Sequence, residues 1–249
     1  MSTTALYTDL SHYYDVLCAE IDYPAQSDAV RRLNQIFGNG GQRHLDLACG
    51  TGAHVQHFLA AGFQSQGLDI NQPMLDRAQQ RCPTARFHLQ DMSEFVLADQ
   101  QDLITCFLYS IHYNADLAKL TACIQQAYNA LASGGVFCFN AVNKDKIDNQ
   151  LVASYSTVHA DGVLSFQSAW HYSGQGQQQQ LKIQISCQNQ QLHHWHDQHT
   201  MVAVSFEQLL EILQPYFEVH LFEHNYHSIQ PWDQASGNVI VVGVKRLAL

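Results

Sequence analysis

The sequence predicts an α/β domain built on a parallel sheet and extended by a smaller antiparallel elaboration. From Arg43 onward, short apolar runs alternate with amphipathic segments, the rhythm of β-α-β units whose parallel strands need covering crossovers. The first of these runs ends in a glycine-rich turn, Ala48-Cys49-Gly50-Thr51-Gly52. After about residue 151 the apolar period drops to two, which marks antiparallel strands with short connections. A chain of 249 residues has room for one such core and one insert, and too little for two full domains.

Taken in order, residues 1–42 read as a helical lead-in. Within it Ala25 to Phe37 forms an amphipathic helix with Val30, Leu33 and Phe37 on one side, broken by Gly38-Asn39-Gly40-Gly41. Residues 43–150 form the α/β core. RHLDLA, SQGLDI, RFHLQD, DLITCFLYS and GGVFCFNAV are its strands, and VQHFLAAG and PMLDRAQQR are helical. A further helix runs from about Asp116 to Leu131 and is stopped at Ser133-Gly134-Gly135. Residues 151–204 carry alternating segments, among them VLSFQSAWHYS, QLKIQISCQ and LHHWHDQHTMVAV, with Gln177 to Gln180 expected at a hairpin tip. In residues 205–249 a helix over Ser205 to Leu213, with Ser205 as N-cap and Gln208 at N3, leads to FEVHLFEHNY and NVIVVGVKR, a closing antiparallel pair.

Composition narrows the partners. Twelve Lys and Arg against 22 Asp and Glu give a formal charge of −10, so there is no broad positive field for phosphates, and neither nucleic acid nor an anionic membrane is expected. The seven cysteines contain no C-x-x-C pair and sit mostly in apolar runs, as in a reducing cytoplasm. The N-terminus lacks a basic region followed by an apolar core, and no apolar run approaches the roughly 20 residues of a membrane span. A soluble cytoplasmic protein is expected.

The segment that carries chemistry is Leu45 to Gly52, LDLACGTG. Gly50 and Gly52 let the backbone turn tightly and approach a ligand, and Asp46 brings a carboxylate to the strand end. One helix later GLDIN ends the second strand at Asp69, placed to bind both hydroxyls of a ribose. After the third strand, LQDM places Asp91 to accept from an adenine amino group or to cap a helix. A nucleotide-dependent dehydrogenase would share the second-strand carboxylate, but its G-x-G-x-x-G register is absent.

With these positions in order the chain resembles the class I S-adenosylmethionine-dependent methyltransferases, whose first motif runs acidic, any, Gly, any, Gly, any, Gly. Here Asp46, Ala48, Gly50 and Gly52 stand in those places, with alanine for the first glycine. The resemblance covers about residues 43–142 well and the closing strand pair more loosely. It implies a Rossmann-like seven-stranded sheet of order 3-2-1-4-5-7-6 with a reversed last strand, and S-adenosyl-L-methionine as cofactor. The implied cofactor-binding residues are Tyr14, Tyr23, Asp46, Ala48, Gly50, Gly52, Asp69, Ile70, Asp91, Met92 and Phe107. A narrower resemblance is to amino-sugar N,N-dimethyltransferases. It rests on Tyr14-Asp15, on Asp22-Tyr23, and on a final insert strand containing His199 that runs into Ser205, Glu207 and Gln208. It implies methylation of a small-molecule acceptor, an amine above all. An O-methyltransferase, a tRNA or protein methyltransferase, and a non-catalytic binding protein are the alternatives.

An amine acceptor must lose a proton, so a His, Tyr or carboxylate should face it. YSIHYN after the fourth strand offers Tyr109, His112 and Tyr113. The resemblance points to a histidine in this loop, and an ungapped alignment sets that histidine against Tyr113 rather than His112. His112, Tyr14 and His199 are the catalytic candidates, with Tyr113 as an alternative base. Asn140 and Asn143 either line the acceptor pocket or cap turns, and Tyr14 and Tyr23 either cover the cofactor or pack on the sheet. In HHWHDQH, strand alternation puts His193, Trp195, Asp197 and His199 on one face and His194, His196 and Gln198 on the other. A structural zinc site wants four ligands, so no metal is expected. The exposed insert strands could pair in a homodimer.

Overall fold

The computed structural model describes residues 5–246. Its larger sheet has seven strands: β1 (Arg43–Leu47), β2 (Gln64–Asp69), β3 (Arg86–Leu89), β4 (Gln101–Cys106), β5 (Leu131–Val142), β10 (Phe217–Glu223) and β11 (Asn238–Lys245). Their spatial order is β10-β11-β5-β4-β1-β2-β3. The five strands of the first half pair in parallel, while β11 runs antiparallel to both β5 and β10. Counting only this sheet, the order is 3-2-1-4-5-7-6, as the family resemblance implies.

Helices α2 (Tyr23–Phe37), α3 (Ala53–Ala60), α4 (Gln72–Arg81), α5 (Leu117–Ala130) and α6 (Phe206–Leu213) cover this sheet. Strand alternation divides the core. Val136 and Cys138 of β5 pack with Val30, Leu33 and Phe58 from α2 and α3, whereas Phe137 and Phe139 pack with Ile124, Leu209 and Leu213 from α5 and α6. Fully burying each of these side chains contributes about 1.5–3 kcal/mol, so both layers are firmly attached.

Helix starts follow their caps. Asp22 accepts from Ala25 N at 2.9 Å and Pro24 occupies the first turn, so α2 begins at Tyr23, two residues before the apolar periodicity does. Ser205 and Gln208 form the reciprocal capping box expected at α6. Helix α5 stops at Ala130 rather than at the Ser133-Gly134-Gly135 turn. Leu131 is already extended and pairs with Gln101, and Gly134, at φ 71°, lies in a bulge that shifts the register of β5 on β4.

The second sheet is four-stranded and antiparallel, in the order β6 (Ala153–His159), β7 (Gly162–Tyr172), β8 (Gln178–Gln188) and β9 (Leu192–Val202). The glutamine run is therefore largely strand and not hairpin tip, with Gln179 buried. The inner face of this sheet, Leu164, Phe166, Ile183 and Ile185, packs on Leu6, Leu10 and Tyr13 from the N-terminal segment. That segment consists of two short 3-10 turns and α1 (Tyr14–Leu17). It lies between the insert and the C-terminal ends of the parallel strands.

Candidate active site

A cavity of about 420 Å³, within the range of small-molecule sites, opens at the C-terminal ends of β1, β2 and β3. Its floor comes from the first half of the chain. Ala48 and Gly50 turn away from β1 with φ of 52° and 54°, and Gly52 follows at 79° as the N-cap of α3. This left-handed backbone is strained for alanine and free for glycine. The turn aims Gly50 N at the carboxylate of Asp69, with N to Oδ2 at 2.9 Å. Asp69 Oδ1 accepts from Asn71 N at 2.8 Å and from its side-chain amide at 3.2 Å. Burial pushes the Asp69 carboxyl above the usual carboxylate range, and the donated N–H groups hold it back. The carboxylate is thus fixed at the cavity wall.

The rest of this wall comes from Ile70, Asp91 and Met92. Ile70 is 37 % exposed, an apolar surface beside the carboxylate on which a flat base can lie. Asp91 Oδ1 accepts from both Ser93 N and Ser93 Oγ at 2.8 Å, so this side chain closes a turn while it borders the cavity. Gly52 packs differently from its neighbour. A Cβ there would lie 3.1 Å from that of Ala78, so this glycine seats α4 against the turn and does not line the cavity.

A small polar recess of about 20 Å³ adjoins the cavity and shares Tyr14, Ala48 and Ser110 with it. Asp46, Tyr23, Thr51, His54 and Phe107 are also part of its lining. Asp46 Oδ1 accepts from Thr105 Oγ1 at 2.6 Å, and burial pushes its carboxyl up to about 7. Tyr23 packs edge-on against His54 at 5.0 Å.

The opposite side of the cavity is built by the loop after β4, by β9 and by the N-terminal segment. Leu108 and Tyr109 take φ of 54° and 60°, an uncommon pair of left-handed non-glycine residues. Asn140 holds them, accepting from Tyr109 N at 3.0 Å while its amide nitrogen meets His224 Nε2 at 3.2 Å. Burial pushes the Tyr109 phenol up to about 12. A 3-10 turn, Ser110–Tyr113, follows. Residues three apart eclipse in such a turn, so Ser110 and Tyr113 both reach the cavity while Ile111 and His112 are buried behind them.

His112 therefore sits outside the cavity. Its Nε2 accepts from Val142 N at 3.0 Å and its Nδ1 faces Val202 O at 3.1 Å, which ties the end of β5 to the end of β9. Burial lowers its pKa to about 4, so the ring is a neutral strut. Asn143 accepts from Asp145 N and caps a turn.

His199, on β9, lines the cavity. Its Nδ1 is hydrogen-bonded to the Tyr113 hydroxyl, and its Nε2 lies 3.1 Å from Asp197 Oδ2 without good hydrogen-bond alignment. The tautomer with its proton on Nε2 faces Asp197 and leaves Nδ1 to accept from Tyr113. Burial lowers the His199 pKa against the pull of Asp197 and keeps the ring neutral. The Tyr113 hydroxyl also meets Tyr7 OH at 2.6 Å, and Asp197 Oδ2 accepts from Leu6 N at 2.9 Å. Tyr7 has no local sequence signature. It reaches the site because the N-terminal segment folds across it.

Tyr14 lines both cavity and recess, and its neighbour Asp15 fastens the segment. Asp15 Oδ2 pairs with Arg81 Nη2 at 2.8 Å and its Oδ1 accepts from Thr51 Oγ1 at 2.6 Å, while Arg81 Nη1 donates to Thr51 O at 2.8 Å. This clasp joins α1, the glycine turn and the end of α4. Trp195, by contrast, packs near Tyr13 and His193, away from the cavity lining.

The reversed last strand, the glycine turn and the two strand-end carboxylates are those of the class I S-adenosylmethionine-dependent methyltransferase fold, and a family model described as a methyltransferase domain matches residues 45–135 of the chain. Among curated proteins the chain is similar to amino-sugar methyltransferases. It is 31 % identical over 137 residues to a dTDP-4-amino-2,3,4,6-tetradeoxy-D-glucose N,N-dimethyltransferase of Saccharopolyspora spinosa, covering 54 % of this chain and 55 % of that protein. It is 30 % identical over 115 residues to a dTDP-3-amino-3,4,6-trideoxy-alpha-D-glucopyranose N,N-dimethyltransferase of Streptomyces venezuelae, covering 46 % and 48 %. Thus the aligned part of the chain spans only about half the length of these curated relatives. The fold extends further: DesVI of Streptomyces venezuelae superposes with a TM-score of 0.83 over 96 % of this chain and 99 % of its own, at 21 % identity.

Proposed function

We propose that the chain is an S-adenosylmethionine-dependent N-methyltransferase acting on a small-molecule acceptor. One observation carries this reading: the fixed Asp69 and Asp91 carboxylates and the Tyr7, Tyr113 and His199 side chains border the same cavity. When bound, S-adenosylmethionine supplies an electrophilic methyl group, whose carbon bonds to the acceptor's nitrogen lone pair as the carbon–sulfur pair returns to sulfur. Asp69, Ile70, Asp91 and Met92 would hold the nucleoside end, with the amino-acid end directed toward Asp46. Tyr14 covers both.

The remaining work is positioning and proton removal. Tyr113 donates to His199 Nδ1, so its oxygen is free to accept, either from Tyr7 or from an acceptor N–H. A proton leaving an ammonium acceptor can pass through the phenols to His199, and Asp197 stabilises the resulting imidazolium. His199 and Tyr113, together with Tyr7, take the role considered for His112. Among the described residues no helix is long and apolar enough to cross a membrane. Seven free, buried thiols support a cytoplasmic setting as part of this proposal.

The test is calorimetric binding of S-adenosylmethionine and its demethylated product, followed by a metabolite screen for mass gain of one methylene. NMR of the product then identifies the methylated atom. Absence of cofactor binding overturns the reading.

A further inference from the structure

We infer that the acceptor is a phosphate-free amine, entering as its ammonium, rather than a sugar carried on a nucleoside diphosphate. The inference rests on the methyltransferase reading and adds the chemical class of its substrate. It departs from the relatives named above, whose names specify dTDP-linked sugars.

The charges around the cavity carry it. Among the described residues its lining holds no Lys or Arg, and since its two carboxylates, Asp69 and Asp91, belong to the nucleoside wall, the acceptor side offers a diphosphate no cation. A third carboxylate, Asp197, stands behind His199. Two nearby cations are engaged elsewhere. Arg81 is paired with Asp15 and bonded to Thr51, and Lys144, just past β5, donates to Gln208 Oε1 at 2.8 Å and lies 5.9 Å from the centroid of the Tyr172 ring. A diphosphate bound in such a place would lose its hydration without gaining the Arg or Lys contacts that ordinarily replace it. The formal charge of −10 adds repulsion at longer range.

The same arrangement favours a cation. An ammonium group placed against the hydroxyls of Tyr7 and Tyr113 meets oxygen acceptors, with the Asp197 carboxylate 3.1 Å from His199 Nε2 beyond them. On binding, the ammonium gives one proton through Tyr113 to His199 Nδ1. The acceptor becomes a neutral amine with its lone pair free, and His199 becomes an imidazolium beside Asp197. Total charge is unchanged, so the step needs no other reactant.

The experiment uses the full chain loaded with the demethylated cofactor product, which occupies the nucleoside wall so that added nucleotides cannot bind there. Binding of dTDP and of inorganic pyrophosphate is measured by calorimetry. Turnover of 3-amino-3-deoxyglucose with methyl-labelled S-adenosylmethionine is then compared with that of the same sugar as its dTDP ester. Neither dTDP nor pyrophosphate should bind at millimolar concentration, and the dTDP ester should gain no kcat/KM over the free amine. Saturable dTDP binding, or an ester at least about tenfold better than the free amine, overturns the inference and leaves the methyltransferase reading standing. Failure of that reading is separately visible, because the cofactor product itself would not bind.

Discussion

Tyr113, in the loop after β4, donates its hydroxyl proton to Nδ1 of His199, on the last strand of the insert. The bond joins residues 86 positions apart, and with it the α/β core and the antiparallel insert. Removing either partner should impair proton transfer more than binding. For Tyr113→Phe and His199→Gln we expect kcat to fall about 10²–10⁴-fold, with KM little changed. The loss should shrink as pH rises toward the acceptor's own pKa, because the amine then arrives already deprotonated. A rate deficit that stays constant across pH would remove this pair from the proton path.

Asp69→Ala should weaken S-adenosylmethionine binding about 10–100-fold, the equivalent of one or two charge-assisted hydrogen bonds. The fold should survive, since Asn71 N and Gly50 N lie beside a cavity that water can enter. Calorimetry with the variant decides the point, and unchanged affinity would disprove the cofactor assignment.

Replacing His112 should act on stability and not on chemistry. His112→Leu leaves Val142 N and Val202 O without partners and should cost about 2–4 kcal/mol, measured by urea denaturation at neutral pH. The wild-type histidine also makes the fold sensitive to acid. Its pKa falls from 6.5 to about 4 on folding. Between those values the unfolded chain takes up a proton that the folded ring refuses. Stability therefore falls as pH drops through that window, by about 3 kcal/mol in all, and levels off below it. The Leu variant should lack that part of the slope.

Asp46 has the opposite sign. Burial raises its pKa from 3.8 to about 7, so the folded carboxyl keeps a proton that the unfolded chain releases. Its contribution to stability is fully present below about 4 and is lost as pH rises through about 7. Asp46→Asn should raise Tm of the cofactor-free protein at pH 8 and leave it unchanged at pH 4. The same substitution should weaken cofactor binding at pH 8, where the wild-type carboxylate is charged. A Tm that falls at pH 8 would contradict this account of the recess.

The sheet order and the strand-end carboxylates at the cavity were legible because their signals are local. Asp69 and Asp91 each end an apolar run, and Gly50 and Gly52 announce their turn. The choice between His112 and Tyr113 depends on something less visible. Leu108 and Tyr109 adopt left-handed backbone without a glycine to mark it, and Asn140, some thirty residues away, holds them there. That turn decides which side chain faces inward. Tyr7 was out of reach for a different reason: its position depends on apolar contacts between Leu6, Leu10 and the inner face of the insert, which no local pattern encodes. In β9 the alternation that separates its histidines was readable, while the partnership of His199 with a core loop was not.

The clasp of Asp15, Arg81 and Thr51 has a practical side. Tyr7 and Tyr14, which contribute to opposite jobs in the cavity, sit on the segment that this clasp fastens. Anything that pulls on that segment, such as an affinity tag fused ahead of it or a crowded immobilisation surface, acts on the reaction chamber itself. Attachment through the outer face of the insert, where His194 and His196 point away, spares it.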